Sequence, residues 1–245
     1  MSNPTYYSAI YVINRSKKNA SRLCLPDYEC DFLPDELNFN ELADLVANMQ
    51  KICFKDENEN NENTKRLHKL FKSVKEKTVA IALTLGYEEG VVDYKEFVDG
   101  GSATIQMSTQ DVLTNQQPWL NEVCRSKRIS ELSTSPISRT MNLIDKYITN
   151  ILMKKPKNKK INGLYLYVEK SPEHGDPAFL LEYYKKYGFK EFLLGNEIDE
   201  EYYYMNKLYV GNSLSIRKTK AKSMSPNKTS SKTRKLKSTV KANTI

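Results

Sequence analysis

The chain has 245 residues, with 38 Lys and Arg against 30 Asp and Glu, and 39% of its residues are apolar. This length and apolar content suit one larger domain with a hydrophobic core, or one domain with tails. No run of about 18 uncharged apolar residues is present, which argues against a membrane-spanning helix, and the N-terminus lacks the charged and apolar regions of a secretory signal. We therefore expect an intracellular protein, in cytoplasm or nucleus, without a membrane partner.

The first third of the chain predicts a strand, two helices and a second strand. Residues 6–13 are rich in Tyr, Ile and Val and predict a strand, followed by a polar connection that reaches about Asn38. Apolar residues then recur at three- and four-residue steps from Phe39 to Cys53, which is typical of an amphipathic helix. Thr64 is expected to cap a second helix, and the β-branched run 78–85 indicates a buried strand.

The middle of the chain predicts further strands and one helix. Residues 91–98 and 102–107 are weaker strand candidates, and Gly100-Gly101 between them predicts a turn. A short strand is predicted over 119–124. Ser135 is a good N-cap and Pro136 suits the first helical position, so a helix is expected to begin there.

The last part of the folded region predicts a strand, a helix and two strands. Residues 161–168 form the clearest strand pattern of the chain. Asp176 followed by Pro177 predicts a capped helix, and Gly188 suits the left-handed residue that ends it. Residues 190–194 and 201–210 predict the final strands. This order is that of a mixed α/β or α+β layer fold.

The positive charge is concentrated at the C-terminus. Ten of the 38 basic residues and none of the 30 acidic ones lie in residues 212–245, so residues 1–211 carry 28 basic and 30 acidic residues. We therefore divide the chain into a domain, 1–211, and a basic Ser/Thr/Lys-rich tail, 212–245, whose composition predicts disorder. A tail that is merely solvated, a non-specific contact with nucleic acid and a nuclear-targeting run at 232–237 all remain open.

The cysteines and histidines do not predict a metal site. The spacing of the four cysteines and two histidines does not assemble four zinc ligands. Free thiols are the expected state of an intracellular protein. The cysteines are Cys24, Cys30, Cys53 and Cys124.

Three sequence segments resemble the second half of the GNAT family of N-acetyltransferases. They are GLYLYVEK, the helix that ends in YYKKYGFKEF, and YYYMNKLY. The family signature is an aliphatic residue followed by Tyr-x-x-x-Gly-Phe, which Tyr184, Gly188 and Phe189 match. The resemblance spans about residues 78–210. It implies a mixed, mostly antiparallel central sheet flanked by helices, in which the fourth and fifth strands splay apart.

The resemblance implies acetyl-CoA as co-substrate, bound between strands 119–124 and 161–168. The backbone of the fourth strand would bind the pantetheine arm, and the following loop and helix start would bind the pyrophosphate, as helix N-termini bind anions. The family has glycines in this loop, where this chain has Ser135 and Ser138, and Pro136 removes one amide donor. A helix start that is only structural is the alternative. The candidate cofactor-binding residues are Val123, Cys124, Arg125, Ser135, Ile137, Ser138 and Arg139.

The resemblance also implies catalytic residues. Tyr184 matches the tyrosine that protonates the departing CoA thiolate, although a tyrosine that only packs is the alternative. Glu122, and after it Glu169, are the candidate bases that would deprotonate the amine acceptor, a small molecule or a protein; ordinary surface charges are the alternative. The expected function is acetyl transfer to a primary amine by direct attack. The alternative is a catalytically inactive interaction module whose tail binds nucleic acid or an acidic partner.

Overall fold

A computed structural model describes residues 4–54, 60–73, 78–107, 116–125, 135–155, 161–171, 176–193 and 199–209. At residues 53, 54, 60–63, 122 and 125 it describes the backbone only. The tail predicted over residues 212–245 lies outside this part of the chain.

The described residues form nine strands and four α-helices, the third of which continues into a π-helical turn. The strands are β1 Thr5–Asn14, β2 Asn19–Leu23, β3 Glu36–Asn38, β4 Thr78–Tyr87, β5 Asp99–Met107, β6 Pro118–Arg125, β7 Gly163–Glu169, β8 Lys190–Phe192 and β9 Tyr202–Leu208. The helices are α1 Phe39–Phe54, α2 Asn60–Lys72, α3 Pro136–Tyr147 and α4 Pro177–Lys185, and the π-helical turn is Ile148–Leu152.

All nine strands belong to one sheet, in the order β3-β2-β1-β4-β5-β6-β7-β9-β8. Every neighbouring pair is antiparallel except β6 and β7, which are parallel. The predicted mixed, mostly antiparallel sheet is therefore confirmed.

Successive side chains of a strand point to opposite faces of the sheet, and helices pack against apolar side chains on each face. On β4, Ile81 and Leu83 point into a first core that α1 and α2 close. Ala80 and Ala82, on the other face, belong to a second core that contains the apolar side of α3, with α4 packed against it. Strand β4 is thus buried between two helical layers, of which the α3/α4 layer bears on the site described below.

The polar connection predicted after β1 is wrong, because residues 19–38 contain the hairpin strands β2 and β3. These strands carry little apolar alternation, and the sheet extends over them through backbone pairing with β1. The side chain of Arg22 secures the loop between them, since its guanidinium contacts the carbonyl oxygens of Cys30 and Leu33 and the carboxylate of Asp35. Such long-range contacts leave no periodic signal in the sequence.

Two predictions between β4 and β6 are also wrong. Residues 91–98 form a loop, and Gly100-Gly101 lies inside β5. The glycines are needed there because other atoms approach the strand: a Cβ on Gly100 would lie 2.6 Å from both Met49 Sδ and the Thr84 carbonyl oxygen. A glycine pair can therefore mark close packing as well as a turn.

The helix boundaries were predicted with mixed success. α2 begins at Asn60, so Thr64 lies inside it and is not its cap. Ser135 precedes α3 as expected, but its side chain makes no capping hydrogen bond. For α4 the prediction is confirmed, because Asp176 Oδ1 accepts a hydrogen bond from Ala178 N at 3.0 Å, and Gly188 has a φ of 87°.

The expectation of free thiols is wrong for Cys24 and Cys30, which form a disulfide. The loop between them folds back on β1, where Ser8 N donates a hydrogen bond to the Glu29 carbonyl oxygen at 2.7 Å. This fold brings the two Cα atoms to 6.0 Å, a separation that a disulfide spans. Cys124 is disulfide-bonded as well.

No described helix combines the length and the apolar character that crossing a membrane requires.

Candidate functional site

The parallel strands β6 and β7 touch at one end only. Among the described residues, Trp119 and Tyr165 are their single register pair. Just before it, Asn162 N donates a hydrogen bond to Gln117 Oε1 at 3.0 Å, which fastens the two strand starts together. Beyond Trp119 the pairing ends, so the rest of β6 is paired only with β5. The splayed strands predicted from the sequence are thus present, and within the described part of the chain the edge of β6 beyond Trp119 has no neighbouring strand on the β7 side.

A β-bulge lies within this free part of β6. Ser102 pairs with Cys124 and Thr104 with Asn121, so β6 carries one residue more than β5 over the same length. A bulge bends its strand and increases the local twist, and bulges are frequent beside active sites. The bulge therefore helps to turn β6 away from the direction of β7.

The start of α3 is packed against β5, beside the end of β6. Gly101 pairs with Arg125, the last residue of β6. A Cβ on Gly101 would lie 3.1 Å from the backbone N and Cα of Ile137 and 3.1 Å from Thr140 Oγ1. A Cβ here would be tighter than most real Cβ contacts, so glycine favours this approach. The first amides of α3, which lack helical partners, are therefore held next to the free edge of β6.

Buried hydroxyl groups fix the position of α3 on the sheet. Thr140 Oγ1 lies 3.0 Å from Thr84 Oγ1, 3.2 Å from the Gly101 carbonyl oxygen and 2.9 Å from the Pro136 carbonyl oxygen. Thr84 Oγ1 in turn lies 3.0 Å from Ser8 Oγ. Because these groups are buried, moving the helix would leave polar atoms without partners, which costs free energy.

The two serines proposed for the phosphate site lie together at the start of α3. Ser135 Oγ and Ser138 Oγ are 3.0 Å apart, and Ser138 Oγ is 3.1 Å from the Tyr187 hydroxyl. The Tyr187 hydroxyl is also 3.3 Å from that of Tyr183 on α4. A chain of hydroxyl groups therefore joins the start of α3 to the end of α4.

Arg139 does not extend toward the serines. Its guanidinium carbon lies 5.3 Å from the centre of the Tyr6 ring, and its Nε atom is buried without a hydrogen-bond partner among the described residues. The Tyr6 hydroxyl donates to Asp99 Oδ2 at 2.6 Å. In this conformation Arg139 anchors α3 to β1 through a cation–π contact.

The described side chains of the other candidate binding residues pack toward the hydrophobic cores. Ile137 is buried in the second core, against which Val123 also packs. Cys124 lies in the first core, with Sγ 3.5 Å from the Met49 carbonyl oxygen. The backbones of Glu122 and Arg125 belong to the free part of β6, and their side chains lie outside the described residues.

Tyr184 packs on the second core, in the layer of α3 and α4. Its ring lies 5.4 Å from that of Tyr183 and 6.0 Å from that of Phe189, both at steep angles. Burial raises the pKa of the Tyr184 hydroxyl above its ordinary value, and the neighbouring Tyr187 raises it further. The phenol is protonated at neutral pH, as an ordinary tyrosine is, and burial makes it a weaker proton donor.

Several residues of the site were not predicted. The close approach at Gly101, the hydroxyls of Thr84 and Thr140, and the contact between Ser138 and Tyr187 all join residues that are far apart in the chain. The aromatic residues on β7 did carry a sequence signal, because Tyr165 and Tyr167 stand two positions apart there. That spacing indicates one face of the strand.

No protein-family model matches this chain, and no curated protein sequence matches it. Solved structures do share similarity with it. Escherichia coli ElaA is 15% identical, with a TM-score of 0.43, and the match covers 83% of this chain and 99% of ElaA. Arabidopsis thaliana NAA60 in complex with acetyl-CoA is 14% identical, with a TM-score of 0.40 and coverage of 69% and 95%. A putative GNAT-family acetyltransferase from Desulfovibrio desulfuricans is 9% identical, with a TM-score of 0.42 and coverage of 68% and 91%.

Proposed function

We propose that this protein is an acetyl-CoA-dependent N-acetyltransferase that moves the acetyl group to a primary amine by direct attack. The observation that carries the proposal is the parallel pair β6 and β7, whose register within the described residues is the single pair Trp119 and Tyr165. A sheet interior normally pairs its backbone groups. The free edge of β6 is therefore suited to a ligand that supplies amide groups of its own, as the pantetheine arm does.

The start of α3 supplies the second part of the binding site. Its unpaired amides and the helix dipole favour a phosphate group, and Ser135 and Ser138 add hydroxyl donors. The pyrophosphate of acetyl-CoA would lie at this helix start while its pantetheine arm follows Val123, Cys124 and Arg125. The missing loop glycines are offset in part, because Gly101 on β5 allows the helix itself to come close.

The reaction is a single transfer in this scheme. The neutral amine nitrogen attacks the thioester carbonyl carbon, a C–N bond forms, and the C–S bond breaks. The sulfur accepts the proton of the Tyr184 hydroxyl, and Tyr184 regains a proton from the nitrogen. The acceptor must first lose one proton from its ammonium form, and Glu122 is the first candidate base, with Glu169 the second. One proton is released to solvent for each acetyl group transferred.

No described residue favours the alternative, an inactive interaction module. That hypothesis rests on the basic residues of 212–245, which lie outside the described part of the chain. Its test is binding to DNA or RNA that weakens steeply with salt and is lost when 212–245 are deleted.

Calorimetric titration with acetyl-CoA tests the proposal. We expect saturable binding of one acetyl-CoA per chain. Tyr184→Phe should bind it nearly as tightly but turn over about 100-fold more slowly, the loss expected when a general acid is removed. Tyr183→Phe is the matched control on the same helix. Absence of both heat and thermal stabilisation at millimolar acetyl-CoA would end the proposal.

A further inference from the structure

A group of aromatic rings lies on the face of the sheet opposite α3 and α4. Trp119 is its centre, with ring centroids 5.7 Å from Tyr165, 6.4 Å from Tyr167 and 6.2 Å from Tyr204. Tyr202 and Phe192 extend the group through contacts with Tyr167 and Tyr165. We call these six residues the aromatic platform: Trp119, Tyr165, Tyr167, Phe192, Tyr202 and Tyr204.

The platform is separate from both hydrophobic cores. None of its six residues belongs to the first or the second core. On β7, Leu164, Leu166 and Val168 point into the second core, so Tyr165 and Tyr167 between them point to the opposite face. Tyr167 is 47% exposed, which leaves the platform open to solvent at this residue.

The position of the platform relates it to the proposed reaction. Trp119 and Tyr165 are the pair at which β6 and β7 begin to separate. A thioester held in the opening from the side of α3 and α4 leaves the other side of the sheet for the second substrate. The platform borders the opening on that side.

The chemistry of the platform favours a cation. The faces of indole and phenol rings carry partial negative charge and attract ammonium groups. Glu169 lies on the same face of β7 as Tyr167, two residues further along, and adds a carboxylate. Lys190, which shares this face, is on β8 two residues before Phe192, about 10 Å from β7 at the usual spacing of strands.

We propose that the aromatic platform binds the acceptor as an alkylammonium ion, with its carbon chain against the rings. Tyr167 is the specificity-determining residue, because it combines an exposed ring with a direct contact to Trp119. The assignment of this ligand as the acetyl acceptor rests on the function proposed above, whereas binding of the cation does not.

Trp119 makes the platform directly observable, because it is the single tryptophan of the chain. The probe is butylammonium at neutral pH, and the matched neutral probe is butan-1-ol, at constant ionic strength. Fluorescence is excited at the red edge of tryptophan absorption, where tyrosine does not absorb. The variants are Tyr167→Leu and, as a control, Phe179→Leu, an exposed aromatic residue of α4 outside the platform.

We expect a saturable change in Trp119 fluorescence with butylammonium and at least about five-fold weaker binding of butan-1-ol. Tyr167→Leu should weaken butylammonium binding by about five-fold, and Phe179→Leu should leave it unchanged. Equal binding of the two probes, an unaffected Tyr167→Leu variant, or no saturable change would each overturn the proposal.

A parallel titration with acetyl-CoA separates the two proposals. If acetyl-CoA binds and butylammonium does not, the platform assignment fails and the transferase proposal stands. If butylammonium binds and acetyl-CoA does not, the platform is a cation site and the transferase proposal fails.

Discussion

Replacing Gly101 with alanine should displace the start of α3 and weaken acetyl-CoA binding. The added Cβ would lie 3.1 Å from the backbone N and Cα of Ile137 and from Thr140 Oγ1, a few tenths of an ångström inside ordinary contact distances. Backbone atoms cannot rotate away as a side chain can. Overpacking of this kind costs about 1–3 kcal/mol of unfolding free energy, unless the helix moves outward by a similar distance.

The same displacement sets the expected loss of affinity. Hydrogen bonds to charged groups contribute about 1.5–3 kcal/mol each. Lengthening those between the amides of α3 and the pyrophosphate should cost about 1.4 kcal/mol in total, which is roughly a tenfold rise in Kd. Calorimetry gives the Kd and urea unfolding gives the stability of the same Gly101→Ala protein.

Ala103→Gly is the matched control, because Ala103 is buried on the same face of β5. The loss of its methyl group and the added backbone freedom should lower the unfolding free energy by about 1.5 kcal/mol. This substitution should not displace α3. Its Kd for acetyl-CoA should therefore stay at the wild-type value. The reasoning is refuted if Gly101→Ala binds as tightly as wild type, or if Ala103→Gly loses as much affinity.

Three further predictions concern α3 and α4. Tyr187→Phe removes the hydroxyl that contacts Ser138, so calorimetry should show acetyl-CoA binding about two- to ten-fold more weakly. Tyr183→Phe keeps that contact, so its Kd for acetyl-CoA should change less. Thr140→Val should lower the unfolding free energy in urea by about 1–3 kcal/mol because buried polar atoms lose partners; equal stability to wild type would contradict the hydroxyl network. The raised pKa of Tyr184 stabilises the fold below the ordinary tyrosine pKa of about 10, and this stabilisation is lost as pH rises above it. The unfolding free energy should therefore fall less for Tyr184→Phe than for wild type between neutral and strongly alkaline pH. An identical fall in the two proteins would show that Tyr184 is not buried as described.

The elements near the proposed site were largely predictable because their signals are local. The alternation over β7, the Asp176-Pro177 start of α4 and the left-handed Gly188 each depend on a few neighbouring residues. The short strands β2 and β3 were missed because they are held by backbone pairing and by the Arg22 side chain, neither of which leaves periodicity. The glycines of β5 were misinterpreted because sequence alone cannot distinguish a turn from a close approach.

The candidate site was predictable in outline but not in its contacts. The pattern around Tyr184 indicated the fold and a candidate general acid, and the helix start at Pro136 indicated a candidate anion site. The direction of Arg139 toward Tyr6 and the contact of Ser138 with Tyr187 depend on residues more than 40 positions away in the chain. The bulge in β6 depends likewise on the register with β5.

Amide hydrogen exchange of β6 with and without acetyl-CoA tests the central claim most directly. If the pantetheine arm pairs with the free edge of β6, exchange should slow at residues 121–125 and at the first turn of α3, while the already paired residues of β4 change little. Saturating acetyl-CoA that leaves the exchange of residues 121–125 unchanged would contradict the account.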